Sequence, residues 1–107
     1  MPQIDIKLEQ IPEGSPLRLE CAGTAVVVVR TPVVVAAFPD VCPHARWRLS
    51  DGKVDNGVLE CPGHGWEFDL ATGGCLTVPA YRLKPFSVVV SAGNVRITWD
   101  DPAAGPG

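Results

Sequence analysis

The stretch TAVVVVRTPVVVAAF, Thr24 to Phe38, narrows the possible folds more than any other part of the chain. Valine branches at Cβ, which restricts its rotamers in a helix and suits the pleated surface of a strand. Arg30 and Pro32 interrupt the run, and Pro32 has no backbone N–H to give to a helix or a ladder. The stretch is also too short to cross a bilayer. It reads as two buried strands, near residues 25–30 and 33–38, joined by a turn. Alternation marks further strands. Ile4, Ile6 and Leu8 share one face of QIDIKL, and LRLEC alternates over residues 17–21 after the turn-forming PEGSP. In PFSVVVSAGNVRITW, the segment SAGN separates two runs as in a hairpin. With 15 valines, 11 glycines and 11 prolines among 107 residues, the chain is expected to be all-β, with short strands and many turns.

Between Pro39 and Pro85 the pattern changes to scattered Gly, Pro and Asp with only short apolar pieces. We read residues 1–100 as one domain, with a loop-rich insertion at about 39–85 in a β scaffold. The tail at 101–107 has nothing to bury and is expected to be disordered. A net charge of −3 and a pI near 5.2 argue against a nucleic-acid partner, which calls for a basic face. The first residues, MPQIDIKLEQ, lack the apolar core of a signal peptide, and no segment reads as a membrane span. The protein is therefore expected to be soluble and cytoplasmic, where four cysteines serve more often as ligands or thiols than as disulfides.

Both histidines of the chain lie in the insertion, each beside a cysteine: Cys42-Pro43-His44 and Cys61-Pro62-Gly63-His64. A single Cys or His is most often a buried thiol or a surface imidazole. Two mixed pairs at tight spacing that use every histidine point instead to a metal. Structural zinc motifs usually pair like with like, two cysteines and then two histidines, so a structural zinc module fits the mixed pairs less well. A two-iron cluster accounts for the mixing. If the cysteines hold one iron and the histidines the other, each loop gives one ligand to each iron.

CPHARWRLSDG followed by CPGHGWEFDLATG resembles the signature of the Rieske [2Fe–2S] proteins, in which two histidines replace two cysteines on one iron. The resemblance runs through nearly the whole chain. It implies antiparallel β-sheets with a loop-rich cluster-binding subdomain and one Rieske-type [2Fe–2S] cluster. Cys42 and Cys61 would bind the buried iron, and His44 and His64 the outer one. In the family a proline-containing loop covers the cluster, which makes Pro79 in TVPA the lid candidate. Gly65, Phe68, Asp69 and Gly73 match the second motif closely, whereas Arg46 and Trp47 depart from the small residues common in the first. Trp47 is expected to pack beside the cluster and, with Arg46, to lie near a docking surface.

The resemblance also divides the family. Rieske proteins of cytochrome complexes carry an extra cysteine in each loop, forming a disulfide, and Trp47 and Gly63 stand at those positions here. They also place a serine and a tyrosine where this chain has Trp66 and Phe68. Without those hydroxyl donors the potential should fall toward the lower end of a range of roughly −150 to +300 mV. A Rieske-type oxygenase needs a second iron held by further histidines, and none remain. No Gly-x-Gly-x-x-Gly loop marks a flavin or NAD site. The chain thus resembles the ferredoxins that pass single electrons from a flavoprotein reductase to a terminal ring-hydroxylating oxygenase. As such it is expected to be a non-catalytic monomer. The small Rieske subunit of an assimilatory nitrite reductase is the alternative. Cys21 and Cys75 are expected to be thiols outside the ligand set.

Overall fold

A computed structural model describes residues 2–43, 47–63 and 65–99. Among them nine strands form three antiparallel sheets, with no α-helix. The first sheet, in the order β1-β9-β8, joins β1 (Gln3–Lys7) to the final hairpin β8 (Ser87–Ser91) and β9 (Asn94–Thr98). The second is a meander of β2 (Leu17–Cys21), β3 (Thr24–Arg30) and β4 (Val35–Pro39). The third contains β5 (Lys53–Asp55), β6 (Val58–Glu60) and β7 (Glu67–Asp69). No helix among the described residues is long and apolar enough to cross a membrane.

The second sheet lies between two cores, which explains why its valines do not alternate with polar residues. Val26 and Val28 face a core shared with Ile11, Val95, Ile97 and Trp99. Val27 and Val29 face the opposite one, with Leu49, Leu59, Phe68 and three of the cysteines. All four valines are fully buried. A strand covered on both sides needs an uninterrupted apolar run, and each buried valine contributes about 1.5–3 kcal/mol. Phe86 stacks on Trp99 in the first core, with ring centroids 5.1 Å apart. On the outer face of the first sheet, Arg96 Nε donates to Asp5 Oδ1 at 2.8 Å, which lowers the Asp5 pKa below its ordinary value. That contribution is present at neutral pH and fades only as acid protonates the carboxylate.

Two sequence expectations shift. The strand expected at 33–38 begins at Val35, because Thr31 Oγ1 accepts the N–H groups of Val33 and Val34 and turns the chain there. The insertion expected to be loop-rich holds the third sheet. Its strands of three residues are too short to show alternation. The overlooked signal is Asn56-Gly57, both left-handed with φ 48 and 76, which turn β5 into β6 as a two-residue hairpin. Ala92-Gly93 does the same between β8 and β9, so the final turn is two residues and Ser91 pairs with Asn94. The tail at 101–107 lies outside the described residues.

Candidate metal centre

Two loops carry the cysteine–histidine pairs. Loop one, residues 41–48, leaves β4 and ends at a 3₁₀ turn over Leu49–Asp51. Loop two, residues 61–66, joins β6 to β7. Each closes on itself in the same way. The Cys42 N–H donates to the Trp47 carbonyl at 2.8 Å, and the Cys61 N–H to the Trp66 carbonyl at 2.7 Å. Proline after each cysteine suits these turns, since it fixes φ and leaves no donor unsatisfied. In loop two Gly65 takes φ +70 and donates its N–H to the Cys61 carbonyl at 3.1 Å. That left-handed conformation favours glycine.

Cys42 and Cys61 are buried, 1% and 0% exposed, in one cluster with Leu49, Leu59 and Phe68. No disulfide joins any of the four cysteines. Two thiol donors presented from matched loops into a dry, apolar setting suit an iron–sulfur cluster, whose thiolate ligands are soft and whose properties depend on burial. His44, Ala45, Arg46 and His64 lie outside the described residues.

The loops touch through Trp47. Its indole lies against Gly63 so closely that a Cβ on Gly63 would overlap the ring. On the resemblance drawn from the sequence, these positions correspond to the disulfide cysteines of the cytochrome-complex members; in this fold an aromatic ring packs on a bare backbone there. Trp47 is also 49% exposed, so it packs and faces solvent at once.

Pro79 heads a third loop fixed against loop two. Cys75 N–H donates to the Tyr81 carbonyl at 3.0 Å, and Tyr81 N–H to the Val78 carbonyl at 3.0 Å. Cys75 Sγ accepts the Val78 N–H at 3.3 Å. Leu76 N–H donates to the Glu67 carbonyl at 2.7 Å, Thr77 Oγ1 accepts the Glu67 N–H at 3.0 Å, and the Tyr81 ring meets Trp66 edge-on with centroids 5.1 Å apart. Cys75, expected only as a thiol outside the ligand spacing, therefore pins this loop from within the core that holds Cys42 and Cys61. Cys21 sits half-buried beside the other core.

Sequence reading also missed the base of loop one. Asp40, buried, accepts hydrogen bonds from Arg18, from the Ser50 N–H and from the Ser50 hydroxyl. The hydrogen bond to Asp40, and then that to Glu20, raises the Arg18 pKa above its ordinary value. One signal was available: a carboxylate two residues before Cys42, where the chain is otherwise entering its core.

The model of the Rieske [2Fe-2S] domain matches residues 2–87. The ferredoxin component of the naphthalene 1,2-dioxygenase system of Pseudomonas aeruginosa is 30% identical over 93 residues, spanning 86% of this chain and 89% of that protein. The oxygenase component of dicamba O-demethylase from Stenotrophomonas maltophilia is 39% identical over 102 residues, but the match takes in only 30% of it. Among solved structures, a chain from the complex of reduced oxygenase and oxidised ferredoxin in carbazole 1,9a-dioxygenase superposes with a TM-score of 0.80 at 30% identity, covering 89% of this chain and all of that one. A nitrite reductase small-subunit protein superposes with a TM-score of 0.78 at 25% identity, covering 91% and 98%. Matched cysteine loops, a three-sheet antiparallel scaffold and a family match over most of its length place this chain in the Rieske [2Fe–2S] domain family, as an electron carrier with a Rieske-type cluster.

Proposed function

We propose that this protein carries single electrons from a flavoprotein reductase to the terminal oxygenase of a ring-hydroxylating system. Cys42 and Cys61 would hold one iron, and His44 and His64 the other. The cluster supplies reversible one-electron chemistry when bound. The chain's own part is to hold the donors and exclude water. Leu49, Leu59, Phe68 and Leu70 wall off the thiols, and the Cys42 and Cys61 amides fix the loop curvature. Trp47 braces one loop on the other, and the Pro79 loop, pinned by Cys75, serves as the lid.

The observation that carries this reading is the apolar surface beside the loops. Val41, Trp47, Leu76 and Tyr81 are each between 42% and 56% exposed, although the core lies close beneath them. Exposed apolar side chains on the loops that carry the cysteines and on the flanks of the Pro79 loop suit transient contact with partner proteins. Arg46 lies two residues after His44 in the sequence and is the proposed charged contact. The carrier works as a monomer in the cytoplasm and has no catalytic residue of its own.

The purified protein should be reddish-brown, with two irons and two acid-labile sulfides per chain as a [2Fe–2S] cluster requires. It should accept electrons from a flavoprotein reductase and pass them to a ring-hydroxylating oxygenase, with a potential low in the Rieske range. Stoichiometric zinc without visible absorption would overturn the cluster assignment. The likeness to the nitrite reductase small subunit favours a second reading. Stable co-purification with a sirohaem protein, and no transfer to an oxygenase, would select it.

A further inference from the structure

Among the described residues, loop one has no strand ladder at its base: it departs from β4, whose strand partner there is β3, and it ends in the 3₁₀ turn rather than in a partner strand. One carboxylate closes the gap. Asp40 Oδ1 accepts the Ser50 N–H at 2.8 Å, while Oδ2 accepts the Ser50 hydroxyl at 2.6 Å and Arg18 Nη1 at 2.6 Å. The Asp40 side chain is 0% exposed, so these three donors and the Arg18 charge stand in for water. The Asp40 N–H donates to the Ala25 carbonyl at 3.0 Å, which ties the same residue to β3. Both ends of loop one are thereby fixed to each other and to the middle sheet.

We propose that Asp40 is the positioning residue of loop one, holding its two ends, through Ser50 and Arg18, at the spacing that brings Cys42 into register with Cys61 of loop two. The proposal rests on the ligand assignment above. The residue type follows from the chemistry. An ionised carboxylate accepts on both oxygens, whereas the amide of asparagine would turn a donor toward either Ser50 or Arg18. Arg18 reaches the site from β2 and is steadied on its other side by Glu20 at 2.9 Å.

The test compares Asp40→Ala and Ser50→Ala with Val28→Ala, a change in the opposite core that touches neither loop. Hydrogen exchange by mass spectrometry on the cluster-loaded protein, together with bleaching of the visible absorption by an iron chelator, separates local opening from general loss of stability. In Asp40→Ala, which removes all three bonds to the carboxylate, residues 41–49 should exchange faster and the cluster bleach about tenfold faster or more, tenfold being roughly the factor for a single lost hydrogen bond to a charged group. Residues 61–66 should be unchanged. Ser50→Ala, which keeps its main-chain bond to Asp40, should show the same pattern more weakly and decides the matter if Asp40→Ala fails to fold. Val28→Ala should lower the melting temperature without favouring either loop. If the Asp40 and Ser50 variants behave as Val28→Ala does at matched melting temperature, the proposal is wrong. Failure of the ligand assignment is separable: Cys42→Ser would then keep its cluster, while loop-selective exchange in Asp40→Ala would still report the latch.

Discussion

Loop two grows out of a hairpin, with Val58 paired to Asp69, Leu59 to Phe68 and Glu60 to Glu67 before the chain turns over. Its base is main-chain hydrogen bonding, which any sequence with strand-forming residues can supply. Loop one makes the same closing bond from cysteine to tryptophan, but its base is a buried side chain borrowed from three parts of the chain: Asp40, Ser50 and Arg18. The comparison separates two requirements of a two-loop metal site. The curvature of each loop is local and can be repeated by a short motif. The distance between the ends of a loop must be imposed by whatever scaffold lies beneath, and here the two scaffolds differ. A ladder tolerates substitution at exposed positions such as Glu60, whereas a latch built on one buried carboxylate weakens with each partner removed.

The largest effect should be shared by both loops. Cys42→Ser and Cys61→Ser should each abolish the cluster, read as loss of visible absorption and of iron, because a hydroxyl is a far poorer soft-metal ligand than a thiolate. Retention of the cluster in only one of them would break the symmetry of the two loops. Next comes the contact between loops. Gly63→Ala should displace the Trp47 ring and cost about 1–3 kcal/mol of stability, as overpacking does. Tryptophan fluorescence and the melting temperature would follow it, and an unchanged emission spectrum would mean that the loops do not lean on each other.

The lid should respond more mildly. Cys75→Ala removes the acceptor for the Val78 N–H and should cost about 1 kcal/mol, with faster exchange over residues 76–80. Cys75→Ser retains an acceptor and should keep both the cluster and most of that protection. The smallest effect belongs to the base of loop two, where Glu60 faces Glu67 as a like-charged cross-strand pair. Glu67→Lys should stabilise the protein by about 0.2–1 kcal/mol, with the gain shrinking as salt is added. A gain comparable to the loss in Asp40→Ala would overturn the view that loop two rests on its ladder.

Much of this molecule is written in short-range pattern. The valine runs marked buried strands, and CPH and CPGH marked two loops whose cysteines the fold buries in one core, because β-branching, proline turns and residue spacing act over a few residues. Asn56-Gly57 was equally local, and its hairpin could have been read from the sequence. The remaining features needed tertiary structure. Arg18 and Asp40 are 22 residues apart and meet only because β2, β3 and β4 fold into one meander. Trp47 meets Gly63 only once both loops are raised on their separate bases. Cys75 looked idle because its partner is a main-chain N–H in the turn it helps to make, and a backbone donor leaves no mark in a sequence. Residue type fixed which atoms could bind or brace; chain topology alone decided which of them came within hydrogen-bonding distance.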